Sequence, residues 1–407
     1  VLGVVAAACG GGSSSATTSP TAAGTQSSAP TGPIKIGIAI SLTGDSAAPC
    51  QQIKEGFDTE AKYINDNGGI NGRQVQLVYA DDQSKMDTAM AAVQSLVDQK
   101  CDVIIGPFPQ WTEAPTFPIT NKAGILQIAF GPPTDAFLGD SAKYKLAFMP
   151  ATGSDGCADA FVKEMQADGR KNVVGVGDQM VISQETLKRL NTLLPQAGIK
   201  FTYMKDSYSL SETDFGPIAN KIAAEVKQVK PDAIILCSNP VAVNPLIKAL
   251  KALGVTQPIY NQGSGAHPLP MFAPAGNNPA NVAGDYAIGP AIVDPSQIPD
   301  SYPAKQDLIA YIQRWKAGAG AKEPFASLFL GFAYDTIHLA EQAIKTATTQ
   351  DGAGYAAALE KVDWWGAQGH YKFSPTDHIG NHGGFFQWQY TMKGFKFIRD
   401  LNAIAGQ

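Results

Sequence analysis

From Ile34 onward, short apolar runs alternate with stretches whose apolar residues recur every three or four positions, and this order restricts the fold more than any other feature. Residues 34–40 (IKIGIAI) suit a buried parallel strand. Ile53, Phe57, Ala61 and Ile64 then share one helical face, residues 75–79 form the next strand, and Met86, Ala89, Met90, Val93, Leu96 and Val97 mark the next helix. Ser84-Lys85-Met86-Asp87 ahead of that stripe fits a capping box, with Asp in place of Glu. Residues 103–106 and 126–128 continue the series. A second series follows Met149-Pro150, with strands at 173–176, 201–203, 233–236 and 258–260 and a clean helical stripe at Val243, Leu246, Ile247, Leu250 and Leu253. Strands separated by helices make βαβ units and a parallel sheet. Two such series imply an α/β chain of two doubly wound parallel-sheet lobes, each with its binding loops at the C-terminal strand ends. The chain turns helical from Asp307, with 325–347 the longest stretch, and closes with strand-like segments at 385–390 and 395–398.

Composition narrows the function classes. A formal charge of −5 offers no basic footprint for nucleic acid, and no apolar run approaches the roughly 18–20 residues that span a bilayer. Residues 1–8 read as the tail of a signal-peptide apolar region. Cys9-Gly10 follows and resembles a bacterial lipobox, with Ala6 where that pattern favours Leu; acylated Cys9 would anchor the chain to the cell membrane. Residues 10–33 are Gly, Ser, Thr, Ala and Pro almost throughout, a flexible tether spanning about 25–30 Å. Export permits disulfides, and Cys50, Cys101, Cys157 and Cys237 leave three pairings open. Cys101 and Cys237 border apolar strands, which equally suits buried thiols.

The stretch Asn65-Asp66-Asn67-Gly68-Gly69-Ile70-Asn71-Gly72-Arg73 ends a helix with positive-φ residues and turns into a strand. With Ser41-Leu42-Thr43-Gly44-Asp45, Gly106-Pro107, Thr213-Asp214-Phe215, Lys230-Pro231-Asp232-Ala233, Phe332-Ala333-Tyr334-Asp335 and Gly369-His370-Tyr371-Lys372-Phe373, it resembles the leucine/isoleucine/valine-binding proteins. These are type I periplasmic binding proteins of branched-chain amino acid ABC transporters. The resemblance implies a lobe one of 34–151 plus 287–385, a lobe two of 152–286 plus 386–407, and a ligand enclosed when the lobes hinge together.

The resemblance also places candidate ligand contacts. Lobe one offers Phe108, Gln110, Trp111, Phe130 and Gly131; lobe two offers Ser154, Asp155, Asp178, Asn239, Gln262 and Gly263; Phe325 lines the cleft in relatives. Amino-acid-binding relatives grip the α-carboxylate with hydroxyls and backbone N–H groups at positions that here carry Gln110, Trp111, Gly131, Pro132 and Pro133. Proline has no N–H to donate. The acidic partner of the α-ammonium falls at Gly263, and a covering Tyr falls at Ile182. Aromatic walls with amide fixings suit an apolar or aromatic carboxylate or amide.

Enzyme motifs are missing: no phosphate loop, nucleophile elbow or zinc-protease pair is present, and Met180 stands where the last Gly of a dinucleotide fingerprint belongs. His378 and His382 read as solvated loop histidines, and Asp81-Asp82 as strand-end polarity and capping. No metal or cofactor is expected. The expected partners are a small molecule and the permease and ATPase subunits of an importer. An extracellular sensor of the same fold, signalling to a membrane receptor, is the alternative.

Overall fold

Strand β1 (Ile34–Ile40) sends Ile34, Ile36, Ile38 and Ile40 into one core cluster and Ala39 into another, so both its faces are buried, as a central parallel strand requires. The computed structural model describes residues 32–131, 143–209, 212–262, 278–323, 326–381 and 383–402, with Gln110 by its backbone. Helix α1 (Ala47–Asp66) follows β1, then β2 (Val75–Asp81), α2 (Met86–Asp98), β3 (Val103–Ile105), α3 (Phe117–Ala123), β4 (Leu126–Ile128) and β5 (Ala147–Phe148). The strands form a parallel sheet in the order β2-β1-β3-β4-β5. Between α1 and β2, Gly69 has φ +73°, and a Cβ there would lie 2.1 Å from the Arg73 carbonyl oxygen, so only glycine fits. Asn71 and Gly72, both at positive φ, then turn the chain into β2 at the sheet edge.

A second series continues with α4 (Ser154–Ala167), β6 (Asn172–Asp178), α5 (Val181–Gln196), β7 (Lys200–Tyr208), α6 (Gly216–Val229), β8 (Ala233–Cys237), α7 (Pro240–Ala252), β9 (Ile259–Asn261), α8 (Pro279–Val282) and β10 (Tyr286–Gly289). Helices α9 (Lys305–Lys316), α10 (Leu328–Thr346) and α11 (Gly352–Leu359) come next, then a hairpin of β11 (Asp363–Trp365) and β12 (His370–Lys372). β13 (Phe386–Thr391) and β14 (Gly394–Asp400) return to the second sheet, whose order is β14-β13-β10-β9-β8-β6-β7. In β8, Ile234 and Leu236 face one core cluster while Ala233, Ile235 and Cys237 face the other. Both sheets are therefore covered on both faces. α10 docks on the five-stranded side through Ala333, Ile337, Ala340 and Ile344.

An ionic clamp ties α1, α9 and α10 together. Buried Glu60 pairs with Arg314 and, at 3.1 Å, with His338 Nε2, while His338 Nδ1 lies 2.7 Å from Glu341.

Several expectations are corrected. α2 has no side-chain cap: Ser84 Oγ is drawn to Ser41 Oγ at 2.9 Å and accepts the Ser46 N–H. α10 starts at Leu328 behind a Ser327 cap rather than at 325. β10 stays in the seven-stranded sheet to Gly289, so the second crossing lies after Gly289 and not at 287. His378 is buried, not solvated: its ring stacks on Phe148 at 4.0 Å, and Nδ1 lies 3.0 Å from the Ala147 carbonyl oxygen. His382 lies outside the described residues, as does Cys9. Cys50, Cys101, Cys157 and Cys237 are all buried, and none of the four forms a disulfide with another. No helix among the described residues is long and apolar enough to cross a membrane.

Candidate functional site

Binding loops of a doubly wound sheet gather where the strand order reverses. That point falls between β1 and β3 in one sheet and between β6 and β8 in the other. In both places a buried acid fastens neighbouring loops. Ser41 Oγ, just past β1, lies 2.5 Å from Asp82 Oδ1 and 3.1 Å from the Phe108 carbonyl oxygen, donating to one or the other. At the other reversal Asp178, ending β6, accepts the Asn239 backbone N–H at 2.7 Å, the Asn239 amide at 3.2 Å and the Met180 N–H at 3.1 Å. Burial raises the carboxyls of Asp82 and Asp178 above their usual range, against these donors. Burial would raise Asp81 too, but hydrogen bonds from Thr43, Gln83 and Leu42 outweigh it and hold Asp81 low. The acidic pair is thus loop fastening, and no metal-ligating cluster occurs among the described residues.

Around these fastenings the loops expose apolar side chains. Leu42 (40% exposed) and Trp111 (51%) stand on the loops after β1 and β3. Val181 (56%) and Val241 (54%) stand in the first turns of α5 and α7, the helices that follow β6 and β8. Asn239 places Val241 by capping α7, its Oδ1 accepting the N–H groups of Val241 and Ala242. Large exposed apolar side chains at a point of strand-order reversal are surface that a ligand can cover.

The other expected contacts divide. Phe130 is fully buried and Phe108 nearly so; they meet edge-on at 6.0 Å, with Phe57, Phe329 and Phe332 around them. Phe108 and Phe130 support the loops of the five-stranded sheet from below rather than forming a wall, because each comes within three residues of a strand end and joins the core cluster which that strand lines. Gly131 is buried, and Gln110 opens a short helical turn, Gln110–Thr112, that carries Trp111. Ser154 is buried and its Oγ accepts from Arg189 Nε at 3.2 Å, while exposed Asp155 pairs with the same guanidinium. Gln262 is buried, its amide donating to Ser183 Oγ at 3.1 Å. Gly263 and Phe325 lie outside the described residues.

One residue here escaped the sequence reading. Glu113 is 1% exposed, and its Oε1 accepts the backbone N–H groups of Phe130 and Gly131, each at 2.7 Å. Burial pushes its carboxyl up to about 8, against those two donors. The available signal was its isolation: Glu113 is the only charged residue between Asp102 and Lys122. Leu42 and Val181 fall in segments, 41–45 and 178–182, that strand-end placement already marks as cleft-facing, though neither was singled out; Val241 was missed, although Asn239-Pro240 reads as a cap and first helical position and so places it at the mouth of a helix.

Two mainly parallel sheets in this order are matched by known proteins. Residues 33–390 match the family model described as periplasmic binding protein. The chain belongs to that family. This periplasmic binding protein is 28% identical over 196 residues to the Leu/Ile/Val-binding protein homolog 2 of Brucella abortus (strain 2308), covering 46% of this chain and 50% of the relative. It thus spans about half the length of the curated relatives it matches. Among solved structures it is similar to an extracellular ligand-binding receptor from Rhodopseudomonas palustris HaA2, with a TM-score of 0.76 and 22% identity over 90% of this chain and 99% of that one. It is also similar to an ABC transporter substrate-binding protein from Desulfitobacterium hafniense in complex with Leu, with a TM-score of 0.71 and 18% identity over 90% and 99%. These likenesses establish the type I periplasmic binding protein fold. Surface depressions on this periplasmic binding protein, beside α11 at Gln342, Lys361 and Asp363 and at Asn121, Lys145 and Glu360, lie away from both strand-order reversals.

Proposed function

We propose that this periplasmic binding protein is the extracytoplasmic receptor of a branched-chain-amino-acid-type ABC importer, and that it captures an apolar or aromatic small molecule with an amide or carboxylate end rather than a standard branched-chain amino acid. The observation that carries the reading is the quartet Leu42, Trp111, Val181 and Val241, two side chains from each sheet exposed at its strand-order reversal. Covering their exposed parts contributes roughly 4–8 kcal/mol of gross burial energy, against which the loss of the ligand's translational and rotational freedom is set. Closure of lobe one (34–151 plus the returning segment to 385) on lobe two (152 to the end of β10, plus 386–407) brings the four together, and a ligand that touches both sides favours the closed state. Acylated Cys9 and the tether of residues 10–33 hold the receptor at the membrane beside its permease and ATPase subunits.

Related proteins point the same way in class: one carries the name Leu/Ile/Val-binding protein homolog, and another is an ABC transporter substrate-binding protein with Leu bound. The zwitterion site of such proteins is what this chain lacks, since Pro132 and Pro133 have no N–H and Gly263 no charge. A thermal-shift panel of branched-chain amino acids, aromatic carboxylates, and amides or ureas tests the reading. A ligand at 100-fold excess over Kd adds about 2.7 kcal/mol to stability. Stabilisation by an aromatic carboxylate or amide, with amino acids silent, is the expected result; stabilisation by leucine, isoleucine or valine refutes it.

A further inference from the structure

Two backbone N–H groups converging on one point make an anion site. At the C-terminal end of β4 those of Phe130 and Gly131 converge, and the oxygen they hold at 2.7 Å belongs to the protein's own Glu113. The next two residues in sequence are prolines, which have no N–H to donate. The buried acids at the strand ends of the two sheets have no buried cation among them. Asp82, Glu113 and Asp178 are the buried ionisable groups that fasten these loops, and no lysine or arginine is buried among the described residues. Arg189, at the lobe-two side, is paired with Asp155. A ligand carboxylate arriving here meets an N–H pair already filled and no buried cation.

We propose that Glu113 is a specificity-determining residue that bars carboxylates from the site, so that the molecule bound has a neutral polar end, an amide or a urea, on an apolar body. This rests on the strand-order reversals being the ligand site. Glu113 acts by holding the donors a carboxylate would need, and it does so with or without its proton, since the carbonyl oxygen of a neutral carboxyl accepts the same two N–H groups.

The test titrates phenylacetamide and phenylacetate calorimetrically into the full chain and into its Glu113→Ala and Glu113→Gln variants. The wild type is expected to favour phenylacetamide by about tenfold or more, the worth of one charge-assisted hydrogen bond. Glu113→Ala, which empties the N–H pair, is expected to erase that preference or invert it. Glu113→Gln keeps an oxygen on both N–H groups and is expected to retain it. A purely structural role would weaken both probes alike and leave the ratio unchanged in Glu113→Ala, which overturns the proposal. Should Glu113→Ala not fold, the wild-type ratio decides: phenylacetate bound as tightly as phenylacetamide overturns the proposal and leaves the receptor reading intact. Should the wild type bind neither probe, sodium acetate is compared with sodium chloride in thermal melts. Acetate raising the Tm of Glu113→Ala but not of the wild type upholds the filled anion site and counts against the receptor reading; no rise overturns the proposal.

Discussion

Replacing Glu113 by glutamine removes a buried ionisation while leaving an oxygen to accept the Phe130 and Gly131 N–H groups. In the wild type, burial raises the carboxyl from 4.5 to about 8. Between those values the folded chain holds a proton that the unfolded chain has released, so this group's contribution to stability falls as pH rises. At 1.36 kcal/mol per tenfold in the proton equilibrium, the whole loss comes to roughly 3–6 kcal/mol, nearly complete at pH 9. Glutamine resembles the protonated form and carries no such loss. The two proteins are therefore expected to be about equally stable near pH 5, and Glu113→Gln to be more stable by roughly 3–6 kcal/mol at pH 9. Urea unfolding followed by circular dichroism at pH 5, 7 and 9 reads the difference, in which the other buried acids cancel. A difference that stays flat with pH, or a variant that is the less stable one at pH 9, refutes the reasoning.

Other consequences are as direct. Trp111→Ala removes a half-exposed side chain; it is expected to change unfolding stability by under about 1 kcal/mol but to weaken ligand binding by roughly ten- to a hundredfold, a split that calorimetry and melting curves together resolve. His338 is held up at about 9: burial alone would lower it, but Glu341 and Glu60 outweigh that. Its stabilising contribution is complete below 6.5 and lost as pH rises through about 9, so His338→Ala is expected to cost roughly 2–4 kcal/mol in urea unfolding at pH 6 and much less at pH 10. Burial pushes the Cys50 thiol up to about 12 and the Cys101 thiol up to about 11. Cys50, Cys101, Cys157 and Cys237 should therefore react with an aromatic disulfide reagent only on unfolding, and rapid reaction in the native state would contradict their burial.

How far the sequence could be read follows from the range of the interactions concerned. The isoleucines of β1, the stripe of α7 and the Asn71-Gly72 turn are local patterns, and most of the strand–helix order of both sheets followed from patterns of this kind; the short strands β5 and β10 were not read. The loops were placed as well, because strand ends define them. Which side chain in a loop faces outward was not legible, since a loop has no period. Phe130 and Trp111 are both aromatic residues shortly after a strand, yet Phe130 closes over Phe57 and Phe332 while Trp111 sits on a helical turn half in solvent. Glu113 finds its N–H partners seventeen and eighteen residues on, and Asp178 reaches Asn239 across sixty-one. Those pairings arise only when parallel strands have already brought their ends together. The clamp of Glu60 with Arg314 and His338, more than 250 residues apart, is of the same kind.

Hydrogen exchange, with and without the panel compound that most raises the Tm, tests the central claim most directly. A ligand held between the two strand-order reversals protects backbone amides in both lobes at once, at residues 110–113 and 129–131 on one side and at 179–182 and 239–242 on the other. Protection confined to one sheet, or found only on the helical flank beside α11, would contradict it.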